Sequence, residues 1–123
     1  MQNDDSYELA AILATADPGE LYSGLSVLVS TAVDGGRCAA LAAFGGLALL
    51  NDPDLEHAAG AERLGRSLAE LRATAFELEN LTVWACSASV DTMGLSGEPP
   101  LDGVMSTPRF LRETAGARRF IHV

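Results

Sequence analysis

The stretch Leu81-Thr82-Val83-Trp84-Ala85-Cys86 predicts a buried β-strand, because it consists of β-branched, aromatic and other apolar side chains. Before it, residues Ala61 to Leu78 carry leucines three and four positions apart, which predicts a helix with one apolar face. An earlier apolar run, Cys38 to Phe44, is bounded by glycine pairs and is short enough for another buried strand. A strand, a helix and a strand in succession indicate parallel strands joined by a helical crossover.

The same alternation continues toward both ends of the chain. Toward the N-terminus, the predicted elements are a strand at residues 7–15 and a helix opened by Asp17-Pro18-Gly19-Glu20 and ended by Asp34. Toward the C-terminus, they are a turn or helix at residues 89–95, a loop at residues 96–100, a strand at residues 103–105, a helix opened by Thr107 and ended by Gly116, and a strand at residues 119–123. We therefore predict one α/β domain over residues 1–123, with a five-stranded, mostly parallel sheet and helices on both faces. The pattern does not give the strand order.

The net charge and the number of cysteines limit which partners and which cellular compartment we expect. The net charge is −9 and all eight basic residues are arginine, so we expect no nucleic-acid partner. The most apolar run, residues 39–50, is too short to span a bilayer, and residues 1–8 lack the features of a secretory signal. Two cysteines do not make a disulfide framework. These features predict a cytoplasmic protein, without a membrane partner, whose thiols are free.

The two cysteines occupy opposite ends of their predicted strands. In an open parallel sheet, binding sites form beyond the carboxyl ends of the strands. Cys86 ends its strand, and its thiol would face the first amides of residues 87–90, whose partial positive charge favours the thiolate. Cys38 begins its strand and is interpreted as a small buried hydrophobe. Cys86 is therefore the predicted nucleophile, although Asp91 would oppose its ionisation.

Other polar and small residues are expected at the same sheet edge. They are Thr15 and Asp17 after the first strand, Phe44, Gly45 and Gly46 after the second, and Ser87 and Ser89 after the third. The glycine pair either admits a ligand close to the backbone or makes a tight turn. Cys86 and Ser89 have the Cys-x-x-Ser spacing of monothiol redox sites. Neither histidine has a metal-ligand spacing with a cysteine, so we expect no metal and no cofactor.

Residues 83–95, Val-Trp-Ala-Cys-Ser-Ala-Ser-Val-Asp-Thr-Met-Gly-Leu, resemble the DsrE/DsrF-like family, whose members often carry Ala-Cys-x-x-Ser-x-Asp-x-Met-Gly after the third strand. Residues 43–50 are similar to the Phe-x-Gly-Leu-x-Leu-Leu segment of that family. Residues 101–104 and the helix at residues 107–114 resemble its C-terminal part. Residues 51–60 depart from the family, because this acidic loop lacks the lysines common there in relatives.

The resemblance implies a three-layer α/β/α, flavodoxin-like architecture that assembles as homotrimers or homohexamers. It implies an intracellular sulfur carrier of the sulfurtransferase type, in which Cys86 holds a persulfide and passes it from a donor protein to an acceptor protein. Met93 belongs to the matching motif and is added to the substrate-binding candidates. Whether such a carrier is an enzyme stays open.

Two other classes of function remain open from the sequence. One is a non-catalytic oligomeric binding module in which Cys86 only packs. The other is a small-ligand or nucleotide binder that uses the pocket at the carboxyl ends of the strands. Independent support for an oligomer comes from the first helix, which has no charged residue between Leu21 and Val33. Its outer side is predicted to present Ser23, Ser26, Val27, Ser30 and Thr31 to another subunit.

Overall fold

The computed structural model describes residues 6–95 and 101–123. Its elements, in chain order, are β1 (Leu9–Leu13), α1 (Pro18–Val33), β2 (Cys38–Ala42), α2 (Phe44–Leu50), a single 3₁₀ turn (Leu55–His57), α3 (Gly65–Glu77), β3 (Leu81–Cys86), α4 (Ser87–Met93), β4 (Val104–Met105), α5 (Thr107–Glu113) and β5 (Arg119–His122). Within the described residues the five strands form one sheet, in the order β4-β3-β2-β1-β5, and every pair of neighbours is parallel.

The sheet has an apolar core on each face. On one face, alternate residues of the strands pack against the leucines of α1 and against α2 and α3. On the other face, the intervening residues pack against Phe110 of α5. These layers confirm the predicted α/β fold, with a three-layer α/β/α arrangement of the flavodoxin-like kind.

The strand order determines where each strand end lies. From β1 the chain steps through β2 and β3 to β4 in one direction, and β5 then pairs with the other side of β1. The carboxyl end of β3 therefore lies between the ends of β2 and β4. The topological switch point, where ligands bind in many open α/β sheets, lies two strands away between β1 and β5.

The predicted second strand, Cys38 to Phe44, is longer than the strand in the structure. The observed strand ends at Ala42, and residues 44–50 form the helix α2, which the sequence analysis did not predict. A continuous apolar run fits a buried strand and a buried helix equally well, so the pattern could not separate them. The chain turns sharply at Phe44, whose φ of 44° lies in the left-handed region.

The remaining differences concern the ends of elements. The first strand is Leu9–Leu13, the long helix begins at Gly65 rather than at Ala61, and the helix after β3 begins at Ser87 rather than at Ser89. The predicted loop at residues 96–100 and the first five residues of the chain lie outside the described residues. In the part of the chain that the structure describes, no helix combines the length and hydropathy needed to cross a bilayer.

Candidate functional site

Cys86 lies where a strand passes directly into a helix. It is the last residue of β3 and also the N-cap residue of α4, with extended φ and ψ angles of −66° and 125°. Because no loop separates the two elements, the first amides of α4 lie close to the Cys86 sulfur. Only 3 % of Cys86 is exposed.

The Cys86 sulfur is surrounded by hydrogen-bond donors. Burial raises the pKa of the Cys86 thiol, but four donors lower it: the Ser89 backbone N–H, the Thr107 hydroxyl, the Ser89 hydroxyl and the Ala88 backbone N–H. The Thr107 Oγ1 atom lies 3.6 Å from Cys86 Sγ. The donors outweigh burial, so the pKa lies below its ordinary value of 9.0. Asp91, whose charge would oppose the thiolate, is exposed to solvent.

Cys38 has the opposite environment. It is fully buried, and the atoms within 4 Å of its sulfur that could bond it are the carbonyl oxygens of Leu28 and Gly36, each 3.7 Å away. Carbonyl oxygens accept from a thiol and give no support to a thiolate. Burial raises the pKa of Cys38 to about 11, and the charge of Glu8 adds to that rise.

Ser89 connects the Cys86 site to the end of β2. Its hydroxyl oxygen accepts a hydrogen bond from the Phe44 backbone N–H, at 2.9 Å, and the same hydroxyl is among the groups that lower the pKa of Cys86. Ser89 is fully buried, whereas 51 % of Phe44 is exposed. The structure thus brings together three residues that the sequence assigned to this edge.

The glycine pair lies against the chain's own backbone. A Cβ atom on Gly46 would overlap the Leu13 carbonyl oxygen, and one on Gly45 would lie 2.6 Å from the Ala16 Cβ atom. Of the two roles left open for the pair, this geometry supports the tight turn. Gly45 and Gly46 let α2 start directly against the end of β1.

Thr15 and Asp17 form the cap of α1. Asp17 Oδ2 accepts from the Glu20 backbone N–H at 2.9 Å, as predicted for the N-cap residue. The Thr15 hydroxyl donates to Glu20 Oε1 at 2.6 Å and accepts from the Asp17 backbone N–H at 3.0 Å. These bonds lie at the end of β1, two strands from Cys86.

The two remaining candidates lie at opposite ends of α4. Ser87 is its first residue and is half-buried beside Cys86. Met93 is its last residue, about 9 Å further along the helix axis, and is 37 % exposed.

Thr107 lies beside Cys86 but was not among the site residues predicted from the sequence. It follows β4, whose Met105 pairs with Cys86 in the parallel register. The rule that placed Cys86 at the carboxyl edge of the sheet also applies to the end of β4. The predicted strand at residues 103–105 was therefore the signal in the sequence that could have placed Thr107 at this edge.

The described residues hold no metal-binding cluster, and their surface depressions lie away from Cys86. These residues include no group of three or more His, Cys, Asp and Glu side chains placed to hold a metal ion. Two adjoining surface depressions, of about 710 and 220 Å³, are both lined by Glu8, Gly35 and Gly36. They lie at the amino edge of the sheet, opposite Cys86.

The fold has a close counterpart among solved structures. The crystal structure of the ychN protein from E. coli superposes with a TM-score of 0.67 over 95 % of this chain and 99 % of that chain, at 14 % sequence identity. This likeness shows a shared fold and agrees with the fold implied by the DsrE/DsrF-like resemblance. No family model and no curated protein sequence matches the chain.

Proposed function

We propose that this chain is a sulfur carrier of the DsrE/DsrF-like kind, which holds a persulfide on Cys86. The observation that carries the proposal is the set of donors around a buried thiol, because they stabilise the sulfur as an anion. The residues around Cys86 that resemble the family motif and the fold shared with the ychN protein support it further.

Loading of the carrier is a thiol–persulfide exchange. The Cys86 thiolate attacks the outer sulfur of a donor persulfide, R–S–SH, and a new S–S bond forms on Cys86. The S–S bond of the donor breaks, its electron pair leaves on the donor sulfur, and the donor thiolate takes up a proton from solvent. No external oxidant or reductant is consumed.

Unloading uses the same groups in reverse. An acceptor thiolate attacks the outer sulfur of the Cys86 persulfide, and Cys86 leaves as a thiolate. A thiol with a lowered pKa leaves faster. The hydroxyl of Thr107 and the donors of α4 stabilise Cys86 as it leaves. The partners are a persulfide-donor protein and a thiol acceptor, in the reducing cytoplasm where a free thiol persists.

Intact mass after incubation with a persulfide donor tests the proposal. The wild-type chain is expected to gain the mass of one or more sulfur atoms, and a reductant should remove it. Cys86→Ser should gain none, while Cys38→Ala, the matched control for the second thiol, should load as the wild type does. Loading of Cys86→Ser at the wild-type level would show that Cys86 is not the carrier.

The low exposure of Cys86 favours one rival function. A thiol that is 97 % covered could also be a packing residue of a non-catalytic binding module. In that case, the wild-type chain would gain no sulfur when it is incubated with a persulfide donor. The same mass measurement therefore separates the two functions.

A further inference from the structure

We propose that the backbone of Phe44 is a positioning group for Cys86: its N–H holds the Ser89 hydroxyl so that the hydroxyl hydrogen points at the Cys86 sulfur. This inference rests on the proposed function and adds a role for the end of β2. It concerns the thiolate itself, so it can be tested whether or not Cys86 loads sulfur.

The hydrogen bonding of Ser89 fixes the direction of its hydroxyl hydrogen. A serine hydroxyl has one hydrogen to donate and two lone pairs to accept with. The Phe44 N–H occupies one lone pair at 2.9 Å, so the hydroxyl hydrogen must point away from Phe44. Ser89 is fully buried, and no solvent competes for that hydrogen. The same hydroxyl is among the groups that lower the pKa of Cys86, which lies three residues earlier at the N-cap of α4, and we assign the Cys86 sulfur as its acceptor.

The backbone of Phe44 has a strained conformation. Among the described residues, Phe44 is the only non-glycine with a positive φ, and bulky side chains rarely adopt that region. Such strained conformations persist where the surrounding structure imposes them, and they cluster at functional sites.

The phenyl ring does not account for the strain, because half of Phe44 is exposed. The turn directs the backbone N–H of Phe44, at the end of β2, toward the Ser89 hydroxyl in α4. The Phe44 turn thus connects two neighbouring strand ends through a single hydroxyl group.

The pH dependence of Cys86 alkylation tests the role of the hydroxyl. In a Cys38→Ala background, the alkylation rate rises with pH, and its midpoint reports the thiol pKa of Cys86. Ser89→Ala should move this midpoint upward and lower the thiolate fraction at neutral pH about tenfold, the ratio expected for losing one hydrogen bond to a charged group. Ser87→Ala, the neighbouring serine control, should leave the midpoint unchanged, and Ser89→Thr should restore it.

Replacing Phe44 by phenyllactate tests the positioning group itself. This substitution changes the amide to an ester and deletes only the N–H, so the midpoint should rise toward that of Ser89→Ala. Circular dichroism checks that each variant is folded.

An unchanged midpoint in folded Ser89→Ala would overturn the proposal, because the hydroxyl hydrogen would then point elsewhere. A raised midpoint in Ser89→Ala with an unchanged midpoint in the ester would overturn the part assigned to Phe44. Failure of sulfur loading with these midpoint shifts intact would count against the carrier function alone.

Discussion

Cys38 and Cys86 lie on neighbouring strands and face opposite sides of the sheet. Burial raises the pKa of both thiols, yet the net shifts have opposite signs. The difference comes from the groups around each sulfur. Carbonyl oxygens contact Cys38, whereas N–H and hydroxyl donors contact Cys86. At the scale of one residue, the local donors and acceptors decide which cysteine has the lower thiol pKa.

This contrast predicts the relative reactivity of the two thiols. At neutral pH in the native state, iodoacetamide should modify Cys86 far faster than Cys38, because a pKa near 11 leaves about a hundredfold less thiolate than a pKa of 9.0. Peptide mapping of timed samples measures both rates in one chain. Cys86→Ser should leave only the slow reaction, and equal rates for the two cysteines would contradict the assignment.

At the scale of elements, α2 is the element that depends most on close packing. It follows β2 after a single residue, and its N-terminal turn lies against the end of β1. The Ala43 backbone N–H donates to the Leu13 carbonyl oxygen at 3.0 Å, and Gly46 packs on the same oxygen. A side chain at Gly46 would push α2 away from the sheet edge on which Phe44 and Ser89 meet.

Two glycine substitutions test this packing. Gly46→Ala should lower the free energy of unfolding by about 2 to 3 kcal/mol, since its Cβ would overlap backbone atoms that cannot move aside. Gly24→Ala is the matched control in α1, where the new Cβ would meet the ends of the Val123 and Leu13 side chains at 3.0 and 3.1 Å. Better helix propensity offsets that crowding, so its change should stay within about 1 kcal/mol. Urea unfolding measures both, and equal losses would show that α2 tolerates a side chain at Gly46.

At the scale of the whole molecule, the outer side of α1 has the composition of a contact surface. Ser23 and Ser30 are exposed, as are 41 % of Val27 and 67 % of Val33. No charged side chain interrupts this side between Leu21 and Val33. Small hydroxyl groups and exposed valines allow another backbone to approach closely. We therefore propose that this surface joins subunits of a homotrimer or homohexamer.

Light scattering at micromolar concentration tests the assembly. The expected mass is three or six times the 12.8 kDa of one chain. Val27→Glu with Ser30→Arg should shift the mass toward a single chain without unfolding it, because both residues are exposed in the described structure. A wild-type mass near 12.8 kDa would reject the oligomer, and an unchanged mass of the double variant would place the contact elsewhere.

The sequence by itself determined the features that depend on near neighbours in the chain. Asp17 and Pro18 begin α1 because capping uses residues within one turn. The segment 81–86 is a strand because its side chains suit a buried pleated surface, and this placed Cys86 at the carboxyl edge.

Tertiary structure decided the rest of the site. Thr107 reaches Cys86 across 21 positions of sequence, and Phe44 reaches Ser89 across 45. Both contacts depend on which strands are neighbours, and local pattern carries no information about strand order. The same holds for α2, since an apolar run becomes helix or strand according to what it packs against. Short-range geometry thus placed Cys86 beside the donors of α4, whereas long-range packing added the Thr107 hydroxyl and the Phe44 N–H that bonds Ser89.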